Sequence, residues 1–188
     1  MTRILLGLLL VLLPAAASAQ EVSIAERREA DGTTTLVHEV IVPAAPAEVW
    51  LAVSTAEGWR TWAVPLAWMD GDTLETSYAP GANPGDPSTI RQRFVALLPG
   101  RTLVFRTTKA PDGFPHFEVF RQVTQFLEVE PAGEGQSRVR LSGAGYADSE
   151  GGRQLLGFFR EGNRVSLERL RQRFVTGPLD WARIRETR

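Results

Sequence analysis

Residues 33–62, TTTLVHEVIVPAAPAEVWLAVSTAEGWRTW, change their hydrophobic period partway along. From Thr33 to Val42 the residues alternate, with Leu36, His38, Val40 and Val42 on one side and Val37, Glu39 and Ile41 on the other. Alternation among β-branched residues is the pattern of a half-buried strand. Pro43 and Pro46 end it, because a proline has no N–H to give to a ladder. Pro46 suits the first turn of a helix. Val49, Trp50 and Val53 then share one helical face. Thr55 is placed to cap a second short helix that carries Trp59 and Trp62.

Beyond this segment the chain reads as strands separated by turns. The expected strands are Leu66 to Asp70, Thr73 to Tyr78, Thr89 to Leu98, Arg101 to Thr108, Phe117 to Glu130 and Ser137 to Tyr146. Asp70-Gly71 and Pro99-Gly100 are tight enough to join antiparallel neighbours. Pro80 to Pro87 is the longest breaker-rich loop and is expected to be mobile. The last element is the longest helix, about Arg153 to Phe174. Leu156, Phe159, Asn163, Leu167, Leu170 and Phe174 form its apolar stripe, and its arginines and glutamates mostly populate a solvated face. Gly177-Pro178 stops it, and Leu179 and Trp181 are expected to pack back onto the body.

This order predicts an α+β fold. An antiparallel sheet of about seven strands wraps around one long C-terminal helix, with two short helices after the first strand. That helix is the one element large enough to cover the sheet. A curved sheet over one helix leaves room for a concave apolar cavity, the usual form of a ligand site.

The N-terminus has the three-part layout of a secretory signal peptide: Thr2-Arg3, the apolar run from Ile4 to Leu13, and Ala17-Ser18-Ala19. Cleavage is expected after Ala19, giving a periplasmic or secreted protein. The apolar run is only about ten residues, too short to span a bilayer as a helix. No stable membrane insertion is therefore expected once it is removed. Residues 20–188 form a single domain with its core at about 33–174 and a tail from 175. The chain has no cysteine, so neither disulfides nor thiol chemistry are available. A net charge of −1 argues against broad capture of nucleic acid.

The stretches Val40 to Trp50 and Thr55 to Trp62, the segment from Ala96 to Leu103, and Phe158-Phe159 resemble the helix-grip superfamily, also called SRPBCC or START-like. Among its members the chain looks most like the bacterial activator of heat-shock ATPase and polyketide cyclase-like proteins. The resemblance spans about Thr33 to Phe174. It implies the helix-grip fold and a family whose members bind lipids, hormones, polyketides or proteins, or catalyse cyclisation.

The leading expectation is a protein that binds a small hydrophobic or amphipathic molecule, or a lipid, between sheet and helix. Candidate ligand contacts are His38, Asn163, Tyr78 and Tyr146 as polar groups, and Trp59, Trp62, Phe94, Phe105, Phe126, Phe159 and Leu167 as apolar lining. Phe94 is in phase with Ile90 and Ala96, and Phe105 with Leu103 and Thr107. Phe117 and Phe120 cannot both face inward on a regular strand. Gly143 and Gly145 either open space inside the sheet or mark a bulge. Two alternatives stand beside the binder. One is a cyclase- or hydratase-like enzyme with His38 as acid–base, since imidazole titrates near neutral pH. The other is a protein-interaction module of the activator type, its partner unknown. No cofactor is implied. No metal is expected from two separated histidines. Ser142 and Ser166 lack the strained turn of a serine nucleophile. An open apolar pocket without a titratable group favours the binder, and a filled core the interaction module.

Overall fold

The computed structural model describes residues 21–186. The expected signal peptide, 1–19, lies outside the described residues. The elements run β1 (Ser23–Arg28), β2 (Thr34–Val42), α1 (Pro46–Ser54), α2 (Ala56–Arg60), β3 (Leu66–Asp70), β4 (Thr73–Ser77), β5 (Ile90–Leu98), β6 (Thr102–Lys109), α3 (Phe117–Phe120), β7 (Thr124–Gly133), β8 (Gln136–Tyr146), α4 (Glu150–Thr176) and α5 (Trp181–Glu186). All strands join one antiparallel sheet of eight, ordered β1-β2-β8-β7-β6-β5-β4-β3. The strand beyond the expected seven is β1, whose mostly exposed, charged residues form an edge along β2. Its composition hides it, because an edge strand needs no buried stripe and charge there discourages further pairing.

The opening segment folds as its period dictates. Leu36, His38, Val40 and Val42 are buried, while Val37, Glu39 and Ile41 are half-exposed. Pro46 starts α1, and the Glu48 carboxylate accepts from the Ala45 N–H at 3.2 Å. The Thr55 hydroxyl caps α2 by accepting from Gly58 N–H at 3.0 Å. Gly58 is required by proximity: a Cβ there would lie 2.2 Å from the Leu51 carbonyl oxygen.

Two local expectations need correcting. Phe117 to Phe120 is a helical turn, not the start of a strand. His116 enters it in the left-handed region, at φ 55°. The turn resolves the phase conflict, with Phe120 buried and Phe117 half-buried in the same cluster. The long helix begins at Glu150, ahead of the expected Arg153, because the Ser149 hydroxyl caps it by accepting from Gly152 N–H at 3.1 Å. Gly151 and Gly152 sit where side chains would collide. A Cβ on Gly152 would fall 1.9 Å from the Ala147 carbonyl oxygen. The loop from Pro80 to Pro87 is tied to the sheet at its far end. Glu75 accepts from Gly85 N–H at 2.7 Å, and Lys109 Nζ donates to the Gly85 and Asp86 carbonyls and to Thr89 Oγ1.

Gly145 is the extra residue of a bulge, at φ 98°, between pairs Thr34–Tyr146 and Thr35–Ala144. Gly143 leaves no void: the Tyr146 ring fills its place. The tail docks as expected, through Leu179 N–H to the Thr61 carbonyl (2.9 Å) and Trp181 Nε1–H to the Arg60 carbonyl (2.6 Å).

The placement of α4 matters most for function. It packs chiefly on β2 and, less extensively, on β8. Leu167 and Leu170 lock it to a large core with Val40, Leu103, Phe105, Leu127 and the tryptophans of α2 and its C-terminal turn. Leu155 joins a smaller cluster of Leu36, Phe120, Val123 and Tyr146. The helix therefore lies toward one half of the sheet.

Candidate functional site

Over the other half, between α4 and the inner faces of β5, β6 and β7, a cavity of about 370 Å³ remains. That is near the lower end of the range for small-molecule sites, about 300–1,000 Å³.

Each wall follows from strand or helix phase. Gln92 on β5 pairs with Thr107 on β6, and Gln125 on β7 pairs with Phe105. These polar residues occupy inward positions, in phase with Ile90 and Phe94, with Leu103 and Phe105, and with Leu127 and Val129. They form a polar band across the cavity floor. Gln125 Nε2–H donates to Thr107 Oγ1 at 3.2 Å. The helix supplies Phe159, Gly162, Asn163 and Ser166, with Phe158 one position further round. The Ser166 hydroxyl donates to the Gly162 carbonyl at 2.8 Å. Phe114 and Phe120 close one end. Phe120 stacks on Phe159 with centroids 4.3 Å apart, Phe114 lies 5.8 Å from Phe120, and Phe158 meets Phe114 edge-on at 5.9 Å. Phe158 is 60% exposed and so marks the mouth. Ala110, Pro111 and Tyr78 form the rim, and the Tyr78 phenol donates to the Ala63 carbonyl at 3.0 Å. A Cβ built on Gly162 would meet nothing within 4 Å, so the space is open.

Of the expected ligand contacts, Tyr78, Phe159 and Asn163 line this cavity. The others lie elsewhere. Trp59 and Trp62 are core residues whose indole N–H groups donate to the Val53 and Ala52 carbonyls at 2.7 and 2.9 Å. Phe105 and Leu167 are fully packed core, and Phe94 is partly buried against the same cluster. A register shift after Phe94 takes Ala96 out of phase and onto the surface. Tyr146 is buried against Gly143, and burial raises its phenol's pKa. Phe126 points to the outer face of the sheet, among Arg27, Thr35 and Val37, because β7 turns Gln125 and Leu127 inward instead.

His38 does not reach the cavity. It is fully buried between β2 and α4, with Nε2 2.9 Å from the Arg160 carbonyl. That contact requires Nε2–H to donate, which leaves Nδ1 buried without a partner. Burial holds its pKa below the ordinary value of 6.5, although the Arg160 carbonyl pulls the other way. The phase of residues 34–42 shows that His38 faces inward; only the position of α4 shows that a helix backbone covers it.

The polar floor was available to a sequence reading. Gln92, Thr107 and Gln125 occupy inward phase on successive strands, and such a coincidence of level signals a lined cavity rather than a dry core. Phe114, Phe120 and Phe158 carry no comparable signal, because they lie on a loop, on a single helical turn and beside the helix stripe. Among the described residues, no group of three or more His, Asp or Glu could hold a metal ion, and no helix is long and apolar enough to cross a membrane.

Solved structures share the architecture. The Aha1 dimer from Colwellia psychrerythraea is 16% identical, aligning over 76% of this chain and 97% of that one with a TM-score of 0.60. XoxI from Bacillus cereus is 20% identical over 76% and 96%, with a TM-score of 0.58. CalU16 from Micromonospora echinospora is 19% identical over 90% and 92%, with a TM-score of 0.56. At such identities the likeness establishes the fold alone. No curated protein matches the chain in sequence. The family model described as polyketide cyclase / dehydrase and lipid transport matches residues 33–175, a span that contains every residue lining the cavity. The chain belongs to that polyketide cyclase / dehydrase and lipid transport family.

Proposed function

We propose that this protein is an exported carrier that binds one small apolar or amphipathic molecule, without covalent chemistry, in the cavity beside α4. One observation carries the reading: a concave space between α4 and the sheet, walled by Phe114, Phe120, Phe158 and Phe159 over a neutral polar floor. Burial of the ligand's apolar surface supplies the affinity, at about 25 cal/mol per Å² removed from water, before the cost of immobilising it. The neutral polar floor orients it. The proposal of export is supported by the Thr2 to Ala19 sequence pattern.

The test is titration with N-phenyl-1-naphthylamine, an uncharged dye that brightens in apolar surroundings. Saturable binding at one site per chain is the expected result. A featureless, non-saturating response overturns the carrier reading. For export, the N-terminal sequence of protein recovered from the periplasm or medium is expected to begin at Gln20; a chain retained in the cytoplasm with its leader intact refutes it.

A further inference from the structure

We infer that the cavity takes an uncharged molecule whose polar end donates a hydrogen bond, and that it excludes carboxylates. The inference rests on the carrier reading and deepens it to a ligand class.

The first ground is charge. None of the lining residues is Asp, Glu, Lys, Arg or His. The basic groups nearby in sequence are spent elsewhere. Arg91 pairs with Glu75 at 3.0 Å, and Lys109 is committed to Gly85, Asp86 and Thr89. A carboxylate entering this space would lose its hydration and meet no counter-charge, which a buried anion cannot tolerate without shedding its charge.

The second ground is the pattern of donors and acceptors. Most polar groups of the site already have internal partners. Thr107 Oγ1 accepts from Gln125, the Ser166 hydroxyl donates to Gly162, and Tyr78 donates to Ala63. Two amides differ: Asn163 lines the cavity with no internal partner, and Gln92 Oε1 alone among the lining polar side-chain atoms is fully buried without one. An unmet buried acceptor is costly, and what it lacks is a donor. The torsion that carries a terminal amide is broad and soft, so Oε1 can turn toward an O–H or N–H arriving beside it. The backbone supports such a role. Register shifts fall between Arg91 and Gln92 and again between Phe94 and Ala96, and bulges of this kind re-aim side chains beside binding sites. A ligand ether or ester oxygen can meet only the amide N–H groups of Gln92 and Asn163, which are not buried and gain little over water, whereas a hydroxyl or an N–H satisfies the buried Gln92 Oε1.

The experiment competes three probes of one shape against N-phenyl-1-naphthylamine at pH 7.5: 2-naphthol, 2-methoxynaphthalene and 2-naphthoate. The expected order places 2-naphthol about five- to tenfold tighter than 2-methoxynaphthalene, the range of one net hydrogen bond, with 2-naphthoate weakest. Gln92→Leu is expected to reduce 2-naphthol to the affinity of 2-methoxynaphthalene and to leave the latter within about twofold. Gln92→Met, closer in shape, is expected to do the same, and circular dichroism confirms that each variant is folded. Naphthoate binding as tightly as naphthol overturns the inference. So does a naphthol preference that survives loss of the Gln92 amide. Both results leave the carrier reading intact. Failure of the dye itself to bind overturns the carrier reading and the inference with it.

Discussion

Gly162→Leu separates a real cavity from a packing artefact of the fold. Gly162 lies in the interior of α4 and lines the cavity, and a Cβ there would meet nothing within 4 Å. Two effects then add. Replacing a mid-helix glycine with leucine removes a propensity penalty of about 0.8 kcal/mol. Burying part of the new side chain against Phe114, Phe120 and Phe159 contributes about 1–2 kcal/mol, less than a fully buried leucine because the mouth stays open. The variant is therefore expected to be about 2 kcal/mol more stable, which raises Tm by about 4–8 °C for a domain of this size. The same carbons occupy the volume a ligand needs, so dye affinity is expected to fall at least about tenfold, or 1.4 kcal/mol. Thermal melting by circular dichroism and dye titration read the two quantities on one preparation. A lower Tm refutes the claim that the space is open. A higher Tm with unchanged affinity refutes the claim that the ligand occupies it. Few substitutions in a packed core raise stability while abolishing binding, so the paired outcome is diagnostic.

Three further outcomes are expected. Because burial depresses the pKa of His38, the unfolded chain takes up its proton first as pH falls through 6.5; stability then declines on acidification with a slope approaching 1.4 kcal/mol per pH unit until the native group also titrates. His38→Leu should flatten this component between pH 7.5 and 5.5 in denaturant titrations, and an unaltered slope would show that His38 is not its source. Trp62→Phe removes the indole donor to the Ala52 carbonyl and should cost about 1–3 kcal/mol while leaving dye affinity within about twofold; a large affinity loss would return Trp62 to the ligand site. Lys109→Met cuts the bonds that hold the 80–89 loop and should accelerate amide hydrogen exchange at Gly85 and Thr89 without altering exchange in β7 and β8, and equal protection in both proteins would mean the loop is held by other contacts.

The site was less legible than the fold for a reason visible in single residues. Asn163 and Phe159 were found because helical spacing alone puts them on the inward stripe of α4. Trp59, Trp62, Phe105 and Leu167 lie on equally inward positions yet contact only protein. Inwardness and aromatic character are common to core and cavity, and nothing local tells one from the other. Gln92 and Gln125 betray the cavity better, since an amide at inward phase must find a partner, and a dry core rarely provides one.

Local pattern determined most strands but not the edge strand β1 or the turn at 117–120, and it determined the proline exit at 43–46, the Thr55 cap, the long amphipathic helix and hence the α+β class, because each depends on residues within a few positions of one another. The two-sided choice of where α4 lies was decided only in three dimensions. Leu167 and Leu170 seat it chiefly over β2, and that offset leaves β5, β6 and β7 partly uncovered. A cavity is what remains when side chains from distant segments fail to meet, so no stretch of sequence encodes it; its volume is settled by packing among all of them at once.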